Sequence, residues 1–241
     1  MKGVILAGGT ATRLKPLTSV VNKHLLPVYN QPVIYYPLEK MKQAGIKDVL
    51  ITTGTEHTGQ FMNLLRSGSK FGLKISYEVQ EQPRGLADAV RLAEDFSDGE
   101  PILVILGDNV FQHNLKPAVA KFKKQKRGAK IFSVPIKNPG QYGVVEIDKK
   151  GRVLSIEEKP KKPKSYLVQT GIYLYDGQVF DLIKKLKPSP RGELEITDLN
   201  NLYLAKGELT CEVMQGWWVD VGTSFEELFR ANQLVAKEIR K

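Results

Sequence analysis

A chain of 241 residues with 41% hydrophobic and 26% charged side chains can form one large domain or two small ones, and no apolar run approaches the roughly 20 residues of a membrane helix. The single cysteine, Cys211, excludes an intrachain disulfide, and His24, His57 and His113 lack zinc-ligand spacing. The net charge of +10 fits a solvated surface as readily as a phosphorylated small substrate, nucleic acid or an anionic membrane, and zinc-finger, RRM and basic-heptad patterns are absent.

In chain order, residues 3–6 read as a buried strand running into a glycine turn. The apolar stretch before that turn is too short for a signal peptide, which with the lone cysteine predicts a cytoplasmic protein. Residues 32–44 read as a helix ending at Gly45, 49–53 as a strand, 58–66 as a helix and 73–79 as a strand. A helix over 86–96 and a strongly apolar strand over 102–106 follow. This alternation predicts parallel strands with crossover helices, in too few units for an eight-fold barrel. After a helix over 115–126 the pattern changes to closely spaced strands at 129–135, 143–148, 153–158 and 168–175. Asp148-Lys149-Lys150-Gly151 reads as a hairpin turn between two of them. Helices at 179–186 and 198–206, strands at 209–214 and 217–219, and an amphipathic helix over 225–241 complete the chain. The fold class is α/β: a Rossmann-like, mostly parallel sheet flanked by helices, with a smaller antiparallel layer.

Ligands of such sheets bind beyond the carboxyl ends of the strands, and three segments fall there. Gly8-Gly9-Thr10-Ala11-Thr12-Arg13-Leu14 follows the first strand. Its small residues let backbone N–H groups approach phosphate oxygens, with Arg13 and Lys23 to neutralise charge. It matches neither the Walker loop nor G-x-G-x-x-G, and a plain tight turn is the simpler account of it alone. Leu106-Gly107-Asp108-Asn109 puts a carboxylate at the end of a buried strand, where it can bind Mg²⁺ or cap the next turn. Asp220, in Trp217-Trp218-Val219-Asp220-Val221-Gly222-Thr223, follows another short strand and can cap the last helix. Convergence of Asp108 and Asp220 would favour a metal site over two separate caps.

Together these segments resemble the sugar nucleotidyltransferase family, most closely the glucose-1-phosphate thymidylyltransferases. The stretches that carry the resemblance are 6–14, Asn22-Lys23-His24-Leu25-Leu26-Pro27-Val28, Pro32-Val33-Ile34-Tyr35-Tyr36-Pro37, 106–109, Tyr142-Gly143-Val144-Val145, Glu157-Glu158-Lys159-Pro160, 189–198 and 218–223, in family order over nearly the whole chain. The resemblance implies a single domain, with residues 1–110 mainly for nucleotide, 111–219 mainly for sugar, and 220–241 supplying a metal-site aspartate and closing helix. It implies that Leu6, Gly8, Gly9, Thr10, Thr12, Arg13, Lys23 and Asp108 hold the triphosphate, and that Gln80 and Gly85 meet the base. It assigns Asp108 and Asp220 to Mg²⁺. Asn109, Tyr142, Gly143, Glu158, Gln169 and Tyr173 are then expected at the sugar, with Lys159 and Arg191 at its phosphate. Catalysis would rest on Arg13, Lys23, Asp108, Lys159 and Asp220.

The implied reaction joins dTTP and glucose 1-phosphate to give dTDP-glucose and pyrophosphate. The alternatives are the same chemistry with UTP or another sugar 1-phosphate, or a nucleotide sensor without turnover. Partners are a nucleoside triphosphate and a sugar 1-phosphate, with neither nucleic acid nor membrane. A homo-oligomer is compatible with the resemblance, but the tetramer and regulatory site of longer relatives are not carried over. Three positions depart from the family pattern: Ala11 where many relatives have glycine, His24 where many have glutamine, and Gln169 where an apolar residue is common.

Overall fold

An unbroken apolar run can be buried on both faces, and the first one in the chain forms β1 (Lys2–Ala7), with Val4, Ile5 and Ala7 fully buried. The computed structural model describes residues 1–9, 11–125 and 127–240. After β1 come β2 (Pro27–Val28), β3 (Gln31–Pro32), α1 (Tyr35–Gln43), β4 (Asp48–Gly54), α2 (Thr58–Leu65) and β5 (Lys74–Gln80). Next are α3 (Leu86–Arg91), α4 (Glu94–Ser97), β6 (Ile102–Leu106), β7 (Asn109–Phe111) and α5 (Lys116–Phe122). Strands β8 (Ala129–Pro135), β9 (Gly143–Ile147), β10 (Val153–Glu158) and β11 (Leu167–Tyr175) follow. The chain ends with α6 (Val179–Ile183), α7 (Ile196–Ala205), β12 (Leu209–Val213), β13 (Trp218–Asp220) and α8 (Phe225–Ile239). This is the α/β class that the alternating signals predict. Among the described residues no helix is long and apolar enough to cross a membrane.

The chain divides into two compact units, each discontinuous in sequence. One comprises Gly3–Pro83, Ile105–Pro117 and the stretch from Gly216. Here β1, β4 and β5 run parallel, with Ile5 opposite Ile51 and Ile51 opposite Tyr77, and the end of β6 lies beside β1. Strands β7 and β13 form an antiparallel pair with Asp220 opposite Asn109. Helix α8 starts on Ser224, whose hydroxyl accepts the Glu227 N–H at 3.2 Å. Its Ala231 and Val235 pack with Val28, Val33, Val110, Val219 and Val221, so the last helix is anchored on the small β7–β13 ribbon.

The other unit comprises Met1–Lys2, Arg84–Val104 and Ala118–Gln215. Strands β10, β9, β11 and β8 are antiparallel neighbours, and β12 joins β8 in parallel. From Val168 to Tyr175 every residue of β11 is buried. Helix α7 buries Ile196, Leu199 and Tyr203, and the Tyr203 ring stacks on Tyr175 at 5.7 Å.

Several boundaries differ from the sequence expectation; the helices expected at 179–186 and 198–206, for example, run over Val179–Ile183 and Ile196–Ala205. The helix expected from residue 32 begins at Tyr35, because Gln31–Pro32 pair with Pro27–Val28. The helix expected over 86–96 breaks after Arg91, where the Ala93 N–H reaches back only three residues to the Val90 carbonyl. The helix expected over 115–126 is regular only from Lys116 to Phe122. The strand expected at 217–219 is shifted by one, which places Asp220 inside β13 and pairs it with β7, a strand that no run in the sequence announces.

Candidate active site

Two tight turns bring the aspartates together. Strand β6 ends at Leu106, and the Gly107 N–H donates to the Leu6 carbonyl at 2.8 Å, tying the turn to the end of β1. Asp108 comes next and is 5% exposed. The Val221 N–H donates to its carbonyl oxygen at 3.0 Å, so the residue after Asp220 is fixed to the backbone of Asp108. The approach is close at Gly222: a Cβ there would lie 2.6 Å from Asp108 Oδ2 and 2.9 Å from Lys23 Nζ, so a side chain at 222 would displace both groups.

Lys23 Nζ donates to Asp108 Oδ2. Burial opposes the lysine charge, but Asp108 and Asp220 outweigh it and raise the Lys23 pKa. Burial likewise works against the Asp108 anion, yet Lys23 holds its pKa below the ordinary carboxylate range. Asp220 receives less help: burial, and then the Asp108 charge, push its carboxyl up to about 7. Two carboxylates and one lysine thus occupy a site that still disfavours its second negative charge.

That donor set suits a hard divalent cation. Mg²⁺ is commonly held by one or two carboxylates with the rest of its shell from water and substrate phosphates. Among the described residues no cluster of three or more His, Cys, Asp or Glu side chains could enclose a metal completely. Asp108 and Asp220 therefore fit a metal that shares its shell with substrate, and fit a closed structural site poorly.

Beside the end of β1 a cleft of about 610 Å³ is lined by Gly9, Thr12, Asn22, Gly54, Gln80 and Pro83 among others. Gln80 ends β5 opposite Gly54 of β4, and a methyl on Gly8 would sit 3.6 Å from its Oε1. Leu6, Gly8, Gly9, Thr12, Arg13, Lys23, Gln80, Asp108, Asn109 and Asp220 all belong to this unit. Arg13 is exposed on a single turn, Thr12–Leu14, and its charge opposes that of Lys23. Thr10 lies outside the described residues.

His24 is 1% exposed, and its Nδ1 lies 2.6 Å from Asn22 Oδ1, an atom that also accepts the His24 N–H. Burial, and then the Lys23 charge, push its pKa down to about 3, so the ring is neutral and Nδ1 carries its proton. Asn109 is 1% exposed, and its amide bonds Asp108 and Trp218.

The remaining predicted residues belong to the other unit. Gly85 precedes α3, with the Leu194 N–H on the Arg84 carbonyl at 2.7 Å and the Ala87 N–H on the Leu194 carbonyl at 3.1 Å. Glu158 ends β10 opposite Gly143, the first residue of β9. The Lys159 N–H donates to the Tyr142 carbonyl at 3.0 Å, so Tyr142, Gly143, Glu158 and Lys159 form one backbone-linked group. Lys159 Nζ and Arg191 Nη2 stand 3.5 and 3.8 Å from Glu158 Oε1. Arg191 is held more closely by Glu195, at 2.9 Å to each carboxylate oxygen. Tyr173 is 2% exposed and stacks on Tyr175 at 5.8 Å. Gln169 is also buried and bonds Thr197 and Asn200. Neither of those two was marked as a candidate: Thr197 lies inside the 189–198 motif, but its sequence gives no sign of what its hydroxyl touches.

Known proteins share this arrangement of chain. The Nucleotidyl transferase family profile matches residues 2–238. A glucose-1-phosphate thymidylyltransferase of Neisseria meningitidis serogroup A is 47% identical over 98% of this chain and 82% of its own length. That of Mycolicibacterium smegmatis is 44% identical with the same coverage. Among solved structures, a Bacillus anthracis protein assigned as a glucose-1-phosphate thymidylyltransferase and crystallised with sucrose superimposes with a TM-score of 0.93 at 51% identity, covering 97% of this chain and 94% of its own. A UDP-glucose pyrophosphorylase complexed with UDP-glucose superimposes with a TM-score of 0.86 at 25% identity, covering 98% of each chain. The chain belongs to the nucleotidyl transferase family.

Proposed function

We propose that this protein transfers a thymidylyl group from dTTP to glucose 1-phosphate, giving dTDP-glucose and pyrophosphate, with Mg²⁺ as its metal. The observation that carries the reading is the convergence of the buried Asp108 and the partly buried Asp220 with Lys23 against them. The relatives of 44–47% identity, named glucose-1-phosphate thymidylyltransferases, favour dTTP over UTP, because the UDP-glucose enzyme stands further off at 25%.

The chemistry asks little of a general base. A phosphomonoester with a second pKa near ~6 is already close to a dianion at neutral pH. Its oxygen forms a bond to the α-phosphorus of the triphosphate, the α–β bridging bond breaks, and pyrophosphate leaves with the electron pair. The obstacle is repulsion between two anions, so positioning and positive charge supply the catalysis. Arg13 and Lys23 would offset charge on the triphosphate, and Gly8, Gly9 and Thr12 would offer it backbone and hydroxyl donors. Gln80 would present its amide to the polar edge of the base. Glu158, with the Tyr142–Gly143 backbone, would accept from sugar hydroxyls, while Lys159 and Arg191 hold the sugar phosphate. Asp108 and Asp220 would hold Mg²⁺, which when bound supplies further positive charge to phosphate oxygens. The single cysteine supports a cytoplasmic setting.

The test is a substrate matrix: pure protein, Mg²⁺, each nucleoside triphosphate and a panel of sugar 1-phosphates, with pyrophosphate release as readout. Fastest turnover with dTTP and glucose 1-phosphate is the expected result. Preference for UTP would move the substrate, and binding without pyrophosphate release in any combination would sink the enzymatic reading.

A further inference from the structure

We infer that Gln169 is a positioning residue for the sugar, acting through Thr197 to orient the carboxylate of Glu158. The inference rests on the assignment of Glu158 to the sugar given above. Its basis is a run of four hydrogen bonds whose directions are fixed by the chemistry of each group. The Tyr175 hydroxyl donates to Asn200 Oδ1 at 2.7 Å, and Asn200 Nδ2 donates to Gln169 Oε1 at 3.0 Å. Gln169 Nε2 donates to Thr197 Oγ1 at 2.5 Å, and the Thr197 hydroxyl donates to Glu158 Oε2 at 2.5 Å.

An amide nitrogen can only donate. Gln169 therefore makes the Thr197 oxygen an acceptor, which leaves the single hydroxyl proton for Glu158. Without that amide the hydroxyl is free to turn, and its proton is no longer committed to Glu158. The four upstream residues are buried, Tyr175 and Asn200 completely, so the first three bonds form away from water and polarise one another, and the last reaches the partly exposed Glu158. Thr197 and Asn200 are three residues apart on α7 and share a face, and one side chain from β11 spans both. Room for it comes from Gly143, where any Cβ would collide with the Gln169 amide.

The two oxygens of Glu158 are thereby distinguished. Oε2 is taken by Thr197, and Oε1 faces Lys159 and Arg191. An apolar side chain at 169 would fill the same space while leaving this orientation unset. Gln169 thus acts at one remove from the sugar.

The experiment compares Gln169→Met, which removes both polar ends, with Gln169→Glu, which still accepts from Asn200 but offers Thr197 no donor. Steady-state kinetics with dTTP and glucose 1-phosphate are the readout. Both variants should raise KM for glucose 1-phosphate by about tenfold, the size expected for one ordinary hydrogen bond, with KM for dTTP unchanged. Should Gln169→Met fail to fold, Gln169→Glu and Thr197→Val carry the same expectation. Each is also placed on a Glu158→Ala background, where cutting the relay should add nothing further to the sugar KM. A folded variant with unchanged sugar KM, or effects fully additive with Glu158→Ala, would overturn the relay. If Glu158→Ala alone leaves the sugar KM unchanged, the assignment of Glu158 to the sugar fails, and the relay with it. A raised KM in Glu158→Ala beside normal Gln169 variants removes the relay only.

Discussion

Trp218 donates its indole N–H to Asn109 Oδ1 at 2.7 Å, and the other end of the same amide donates to Asp108 Oδ1 at 3.1 Å. The bond ties β13 to β7 beside both aspartates, since Asn109 follows Asp108 and stands opposite Asp220. Trp218→Phe keeps an aromatic ring, deletes the donor and removes the second ring of a buried indole. A net loss of at least about 1 kcal/mol is expected, which for a chain of this size lowers Tm by about 2–4 °C or more. The metal concentration for half-maximal activity should rise with it. A variant with native Tm and native metal response would show that the indole bond does not order the pair.

Metal binding should depend on pH in one direction. Burial, and then Asp108, raise the Asp220 pKa to about 7, so below that value the metal-free carboxyl holds a proton. A divalent cation needs the anion and must displace that proton. Apparent affinity should therefore climb as pH rises from 6 to 7 and level off by pH 8. Titrating Mg²⁺ or Mn²⁺ into the protein at each pH, by calorimetry or by activity, gives the slope. Equal affinity at pH 6 and pH 8 would contradict a protonated Asp220.

Lys23→Met removes the cation from a partly buried acidic pair. Breaking a fully buried ion pair by deleting one partner costs about 3–5 kcal/mol, and the partial exposure of Lys23 puts the expected cost at or below about 3 kcal/mol. The cost should be largest in EDTA and shrink when a divalent cation replaces the lysine's charge. Thermal melts of wild type and variant, with chelator and with 10-fold stepped Mg²⁺, measure the difference. A Tm loss independent of metal would mean that Lys23 and the metal site are uncoupled.

The parallel strands were legible because their signal is local. Runs such as 102–106 are apolar without interruption, and burial on both faces is the consequence. The three-residue β7 was not, since so short a strand exists only through its partner β13 about a hundred residues away, and β13 itself was legible only to within one residue, which left Asp220 outside it. The same limit governs the site. Asp108 could be found because a carboxylate just beyond a buried strand is a local pattern. The work of Gln169 could not, because its partners Thr197 and Asn200 lie 28 and 31 residues on. Sequence marked Gln169 as unusual through the family comparison, and only packing shows what its amide touches.

Lys159 has a φ of 45°, in the left-handed region where a non-glycine residue carries strain. Its backbone N–H is committed to Tyr142 and its ammonium stands near Glu158. Lys159→Gly should relieve the backbone, leaving Tm equal or higher, while KM for glucose 1-phosphate rises about tenfold or more through loss of the cation. Stability and function then move in opposite directions. A fall in Tm by several degrees would show that the lysine is there for structure.

Ala11 makes the complementary case inside the glycine-rich turn. Its φ and ψ are 47° and 37°, so an alanine occupies left-handed backbone that glycine adopts freely. Local bonds hold it there: the Leu14 N–H and the Thr18 hydroxyl both donate to its carbonyl, at 3.2 and 2.8 Å. The left-handed conformation costs an L-residue about 1–2 kcal/mol, and the greater freedom of glycine in the unfolded chain cancels about half of that. Ala11→Gly should therefore stabilise the protein by about 0.5–1 kcal/mol and raise Tm by about 1–4 °C. Differential scanning calorimetry of the two proteins decides the matter. A lower Tm in the glycine variant would mean that the turn is not strained at this position, and that the methyl group contributes packing which outweighs the backbone term.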